Sequence, residues 1–173
     1  MDNYDSLPDL KMTALALLFQ MKWHCPTVHK SNDFVVKETL AYFASILEDD
    51  DIGYFYDPKA PKDLCTNPGE LVGKIANSRL PYGFNFGRAV DQFVLMLNSI
   101  DEQDYNKIGV VVSDCLVKTD ADELMKKVAT IEGAKTYVFS IGGCAVTDGI
   151  IHLEDALELK EGLNRVGASL GFR

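Results

Sequence analysis

The sequence predicts an α/β fold, a three-layer α-β-α sandwich around a mostly parallel central sheet. Three observations carry this. One apolar run has the pattern of a strand buried on both faces, a second strand follows it through a helix, and enough amphipathic helices exist to cover a sheet on two sides. The run is Lys107-Ile-Gly-Val-Val-Val-Ser-Asp-Cys115, short, rich in β-branched residues and closed by polar ones. Such continuous apolar strands belong to parallel sheets covered on both faces.

After this strand, Thr119-Asp-Ala-Asp122 offers a helix N-cap and acidic residues for the first turn. Leu124, Met125, Val128 and Ile131 then recur at helical spacing, and Gly133 is the expected stop. A strand over residues 135–141 completes a unit of roughly 35 residues, the length of a parallel pair joined by a right-handed crossover helix.

Upstream, residues 10–21 are the ambiguous element. Thr13-Ala-Leu-Ala-Leu-Leu-Phe-Gln20 is long enough for a central strand, yet leucine and alanine favour helix, and Ser6, Pro8 and Asp9 could start one. Context selects strand, because a sheet without it gives the helices too little surface to cover. Residues 32–47 predict a helix whose core stripe is Phe34, Val35, Leu40, Phe43, Ala44 and Leu47. Ile52-Gly-Tyr-Phe-Tyr56 predicts a strand ending at Asp57-Pro58, with a brief antiparallel partner over 62–66. Strand alternation sends Phe55 to the face opposite Tyr54 and Tyr56. Helices are expected over 68–78, 86–97 and 152–166, the last closing the chain. Nothing marks a linker or repeat, so residues 1–173 are read as one domain.

The composition is that of an average globular protein, with 47% apolar and 25% charged residues. Net charge is −9 and the cations are scattered, Lys126-Lys127 being the closest pair, so nucleic acid and anionic membrane surfaces are not expected partners. The acidic run Glu48-Asp-Asp-Asp51 is expected to be a solvated helix end. Cys25, Cys65, Cys115 and Cys144 form no Cys-x-x-Cys, so reduced thiols are expected. The acidic Met1-Asp-Asn-Tyr-Asp5 is unlike a secretory signal, and the apolar stretch 14–19 is too short for a bilayer; the expected location is the cytoplasm.

Two local patterns carry a family resemblance. Tyr82-Gly-Phe-Asn-Phe-Gly-Arg-Ala-Val90 is similar to a Gly-Gly-Thr-Asn-x-x-x-Ala loop entering a helix, and Val111-Val-Ser-Asp114 to a Val-x-x-Thr-Asp-Gly strand end. With the element order, these resemble the von Willebrand factor A (vWA) domain, a Rossmann-like sandwich whose members mostly bind proteins. The resemblance implies a divalent cation at the carboxyl edge of the sheet, held by Asp-x-Ser-x-Ser after the first strand, a loop threonine and an aspartate after a later strand. Hard cations require such oxygen donors. This chain departs from the pattern: Gln20-Met-Lys-Trp-His24 follows the first strand, and Phe84 stands at the loop threonine. Asp114 alone remains, and one carboxylate near Lys22 does not hold Mg²⁺. The expectation is a degenerate metal site, no metal and no cofactor, with Lys22 pairing Asp114 in place of the cation.

Other constellations are weaker. His24, Cys25 and His29 lack a fourth zinc ligand and match no familiar spacing. Gly142-Gly143 fits neither phosphate-loop pattern and reads as a sharp turn. The resulting expectation is a non-enzymatic module that binds another protein through its carboxyl-edge loops, using Trp23, His24, Phe84, Asn85 and Asp114. The alternative is a small-ligand-binding protein or enzyme at the same edge, for which Asp114, Cys115, Cys144 and His24 are the available polar set.

Overall fold

The computed structural model describes residues 11–20, 31–78, 85–114, 116–142 and 147–169, the side chains of 31, 32 and 169 excepted. Its order is β1 (Met12–Gln20), α1 (Ser31–Ala44), β2 (Ile52–Phe55), α2 (Pro68–Asn77), α3 (Phe86–Ser99), β3 (Tyr105–Asp114), α4 (Lys118–Val128), β4 (Ala134–Ile141), β5 (Ile150–Leu153) and α5 (Glu158–Ser169). The five strands form one all-parallel sheet in the order β2-β1-β3-β4-β5. The fold is therefore α/β, and the expected mostly parallel sheet is wholly parallel among the named strands.

The ambiguous segment is strand β1, and its burial explains why propensity lost. Leu15, Leu17 and Phe19 pack on one face while Ala16 and Leu18 pack on the other, every one almost fully buried. Each large apolar side chain so buried contributes roughly 1.5–3 kcal/mol, against a few tenths per residue for helix preference. Ala16 lies in register with Gly109 of β3, and this pair of small residues lets α3 approach the sheet. A Cβ on Gly109 would stand 2.9 Å from Phe93 Cζ and 3.0 Å from Leu97 Cδ1.

Two helical layers cover the sheet. Val36, Leu40 and Phe43 of α1, Leu71 and Ile75 of α2, and Leu159, Leu163 and Val166 of α5 join Leu17, Phe55, Val110 and Phe139 on one face. Ala89, Val90, Phe93 and Leu97 of α3 and Ala121 and Leu124 of α4 join Leu18, Tyr54, Val111 and Val138 on the other. Phe55 thus lies opposite Tyr54 and Tyr56, as strand alternation requires. The antiparallel partner of β2 is a single bridge, Gly53 to Cys65, closed by amide-to-carbonyl bonds of 2.9 and 2.7 Å.

Several expectations are corrected. The last helix does not begin at His152: Ile150–Leu153 is a fifth strand, and α5 starts at Glu158. Ile150 and Ile151 are β-branched, and four residues are too few for periodicity to separate a short edge strand from a helix start. Helix α4 is capped by Val117, without a side-chain bond, rather than by Thr119. It ends at Val128, well before Gly133, whose φ of 65° serves the turn into β4. Asn98 holds that turn, its Oδ1 accepting from Glu132 N at 3.0 Å. Phe34 is not core but 69% exposed. Within the acidic run, Asp51 is buried, accepting from Thr13 N at 2.6 Å and Glu48 N at 2.7 Å, and so ties the start of β1 to the turn before β2. Among the described residues no helix is long and apolar enough to cross a membrane.

Candidate functional site

In an all-parallel sheet every strand ends at one edge, and the helix that follows starts there. The chain leaves β1 for β2 on one side and reaches β3 on the other, so the direction of winding reverses between β1 and β3. Such a reversal opens a crevice outside the carboxyl ends, the usual ligand position in open α/β sheets. Gln20 ends β1 there, and Ser113 and Asp114 end β3.

The register aligns Gln20 with Ser113, Ser113 with Ser140 and Ser140 with His152. This row faces the α3 and α4 layer, and its first three members are buried. Ser113 Oγ donates to the Asp114 carbonyl at 3.3 Å. Among the described residues, Gln20 Oε1 and Ser140 Oγ have no hydrogen-bond partner although both are enclosed. Buried polar groups are nearly always paired, which makes these two noteworthy. Asp114 occupies the next register position, on the opposite face, and is fully buried. Asp33, in the first turn of α1, also carries an enclosed carboxylate oxygen, and burial raises its pKa against the lowering pull of Lys37.

Around this floor lie the starts of α3 and α4, and the last turn of α4 reaches back to the first turn of α3. Asn85 is the N-cap of α3, its Oδ1 accepting from Arg88 N at 3.0 Å. Lys127 of α4 reaches across to α3, 2.9 Å from Asp91 and 3.4 Å from the Gly87 carbonyl. The Asp91 hydrogen bond raises its pKa, so it remains a fixed cation. Between the two helices, beside Phe86 and Leu124, lies a cavity of about 150 Å³. Asp122 accepts from Lys118 Nζ at 3.2 Å and Thr147 Oγ1 at 3.1 Å, bonds that lower its pKa and tie α4 to the segment entering β5. Three large apolar side chains stand exposed in segments that leave the strands' carboxyl ends: Phe34 in the first turn of α1, Val117 between β3 and α4, and Leu157 between β5 and α5, at 69%, 54% and 70%.

Of the residues singled out from sequence, the structure places Asn85 and Asp114 at this edge, one exposed at a helix cap and the other buried at a strand end. Trp23, His24 and Phe84 lie outside the described residues, as do Lys22, Cys25, His29, Cys115 and Cys144. Gly142, with φ of 67°, donates its amide to Leu153 O at 2.7 Å, as a turn residue closing the β4 and β5 ends. Sequence reasoning missed Phe34, Val117 and Leu157 because an apolar residue at a helix start resembles core. It missed Gln20 and Ser140 because only register places them in one row.

The donors at the two strand ends are one amide, one hydroxyl and one carboxylate, from Gln20, Ser113 and Asp114. Among the described residues no group of three or more His, Cys, Asp or Glu side chains is placed to hold a metal ion. Of the anionic oxygens a divalent hard cation favours, this described set supplies a single carboxylate, Asp114.

No family model and no curated protein matches the chain. Solved structures do. Proximal thread matrix protein 1 from the mussel byssus, in crystal form 2, is 12% identical over 90% of this chain and 47% of its own, with a TM-score of 0.61. The same protein with a zinc occupied MIDAS motif is 11% identical over the same shares, with a TM-score of 0.62. The chain thus spans about half the length of the structures it resembles. At this identity the likeness speaks for the fold alone, and that fold, a parallel α/β sandwich, is von Willebrand factor A-like.

Proposed function

We propose that this chain is a non-enzymatic protein-interaction module, cytoplasmic and independent of metal, that binds a partner protein through the loops at the carboxyl edge of its sheet. The observation that carries the reading is the exposure of Phe34, Val117 and Leu157, each beside a loop of that edge. Apolar side chains left in water beside a recess suit the anchors of a protein interface. The reading also assigns Trp23, His24 and Phe84 to the interface from the sequence, and Asn85 caps the start of α3. Asp114, expected at the interface, is fully buried at the end of β3. The net charge of −9 favours a basic or neutral partner surface.

The test is affinity capture from native extract with the unaltered protein, a Phe34→Ser and Leu157→Ser double variant, and a Gln103→Ser control at the amino edge. A specific partner retained by the first and third, lost by the second and unaffected by EDTA is the expected result. Equal recovery by all three refutes the edge, and loss with EDTA refutes metal independence.

One observation favours a second reading, a small-ligand-binding protein or enzyme at the same edge: the enclosed oxygens of Gln20 and Ser140, without a partner among the described residues. A neutral hydroxylated or amine ligand is the chemistry those atoms suit. Thermal stabilisation by such a ligand, abolished in Gln20→Leu, would support it.

A further inference from the structure

The two edges of the sheet are finished differently. On β2, Gly53 pairs with Cys65, so an antiparallel bridge covers the outer side. On β5 no described strand lies beyond, and residues in a strand turn their backbone groups to alternate sides. The Leu153 carbonyl accepts from Gly142 N and so points toward β4. By alternation, the amide and carbonyl of His152 point away from the sheet. His152 is exposed and Ile151 is 39% exposed, with no proline or lysine in Ile150–Leu153 to guard the edge.

Beside this edge, between β5 and α5, runs an open groove of about 590 Å³. Its floor includes Ile151, Leu153 and Val166, and its wall carries Glu158, Glu161 and Arg165. Arg165 is already paired with Glu161 at 2.7 Å, which leaves Glu158 as the excess charge, with Glu154 and Asp155 just before it in the chain. The edge is therefore apolar at its base and acidic along one side.

We propose that the outer edge of β5, with this groove, docks an extended basic segment of a partner protein, which joins the sheet as an added strand. Its backbone bonds the outward groups of His152, alternate apolar side chains sit over Ile151 and Leu153, and its cations meet Glu158 and the neighbouring carboxylates. A second copy of this chain fits poorly, because its own β5 would bring the same acidic residues against them. The groove meets the carboxyl-edge rim near Leu157, but its test reads peptide binding and the His152 amide, so its failure is distinguishable from failure of the partner capture.

The experiment uses the full chain and three labelled octapeptides: alternating lysine and valine, alternating glutamate and valine, and alternating lysine and proline. Only the first is expected to bind, with an affinity that falls with salt, and to slow hydrogen exchange at the His152 amide. His152→Pro, which removes an outward donor at a position where an edge strand tolerates proline, should abolish binding, while His152→Ala should keep it. Glu158→Lys with Glu161→Lys should weaken it about tenfold, with an unchanged far-UV circular dichroism spectrum showing that α5 survives loss of the Glu161–Arg165 pair and of the Glu158 bond to Glu154 N. Equal binding of the acidic or proline peptide, an unprotected His152 amide, or a peptide-free dimer with β5 already protected would each overturn the proposal.

Discussion

Ser140→Ala is a direct test of the polar row at the strand ends. The serine is almost fully buried in β4, its Oγ has no partner among the described residues, and alanine keeps the Cβ in place. An enclosed hydroxyl without a hydrogen bond costs about 1–3 kcal/mol in folded proteins. Removing it opens a void of only one oxygen, so the expected net gain is about 1 kcal/mol, or roughly 2–4 °C in Tm for a chain of this size. The assay is urea unfolding at neutral pH, comparing midpoints at constant slope. Ser113→Ala is the matched control. Its Oγ does have a partner, the Asp114 carbonyl at 3.3 Å, so that variant should lose about 0.5–1 kcal/mol instead of gaining. Opposite signs in neighbouring serines are the signature. If Ser140→Ala destabilises by 1 kcal/mol or more, the hydroxyl is satisfied by an ordered water or a ligand, and the idea of an unpaired row is wrong.

Gly109→Ala should destabilise by about 1–2 kcal/mol, because a Cβ there presses on Phe93 and Leu97; strand preference offsets only part of the usual overpacking cost, and calorimetry reads the result. Val117→Asp should stabilise the fold by about 0.5–2 kcal/mol by supplying the cap α4 lacks, while weakening capture of an edge-bound partner, so chemical denaturation and pull-down should move in opposite directions. Burial raises the pKa of Asp33, so between its ordinary and its raised value the native state binds more protons than the unfolded chain, and the stability this contributes at low pH is lost as pH rises through the folded pKa. Asp33→Asn should therefore stabilise at pH 7, with the gain fading as pH falls through the folded pKa toward the ordinary carboxylate range; a gain independent of pH contradicts this.

Much of the fold was legible because its signals were redundant. The run ending in Asp114 is strand by composition, by length and by the helix that follows, and all three agree with β3. β1 was legible only through its surroundings, since its leucines and alanines favour helix until two covering layers are supposed. The miss at residues 150–153 has the opposite cause. An edge strand of four residues takes its identity from hydrogen bonds to β4, and those are non-local. The site was less legible. Asp114 was found by its place at a strand end, but Gln20, Ser140 and His152 become neighbours only through register across four strands. Phe34 was read as core because it sits near the apolar stripe of α1, and helical spacing does not reveal where the covered part of a helix begins.

The distribution of polarity at the carboxyl edge bears on which kind of function it suits. Catalytic sites bring ionisable groups together within reach of a substrate. Here the described groups are arranged the other way: the carboxylate of Asp114 and the hydroxyls of Ser113 and Ser140 are buried, whereas Phe34, Val117 and Leu157 project into water. Each exposed apolar side chain forgoes roughly 1.5–3 kcal/mol that burial would contribute. Tyr42 and Leu95 are also exposed, on other parts of the surface, so what distinguishes these three is that they share one edge. Recovering that burial against a partner is a sufficient physical reason. Asp114 is buried at the end of β3, while these three apolar side chains stand in solvent around the same edge.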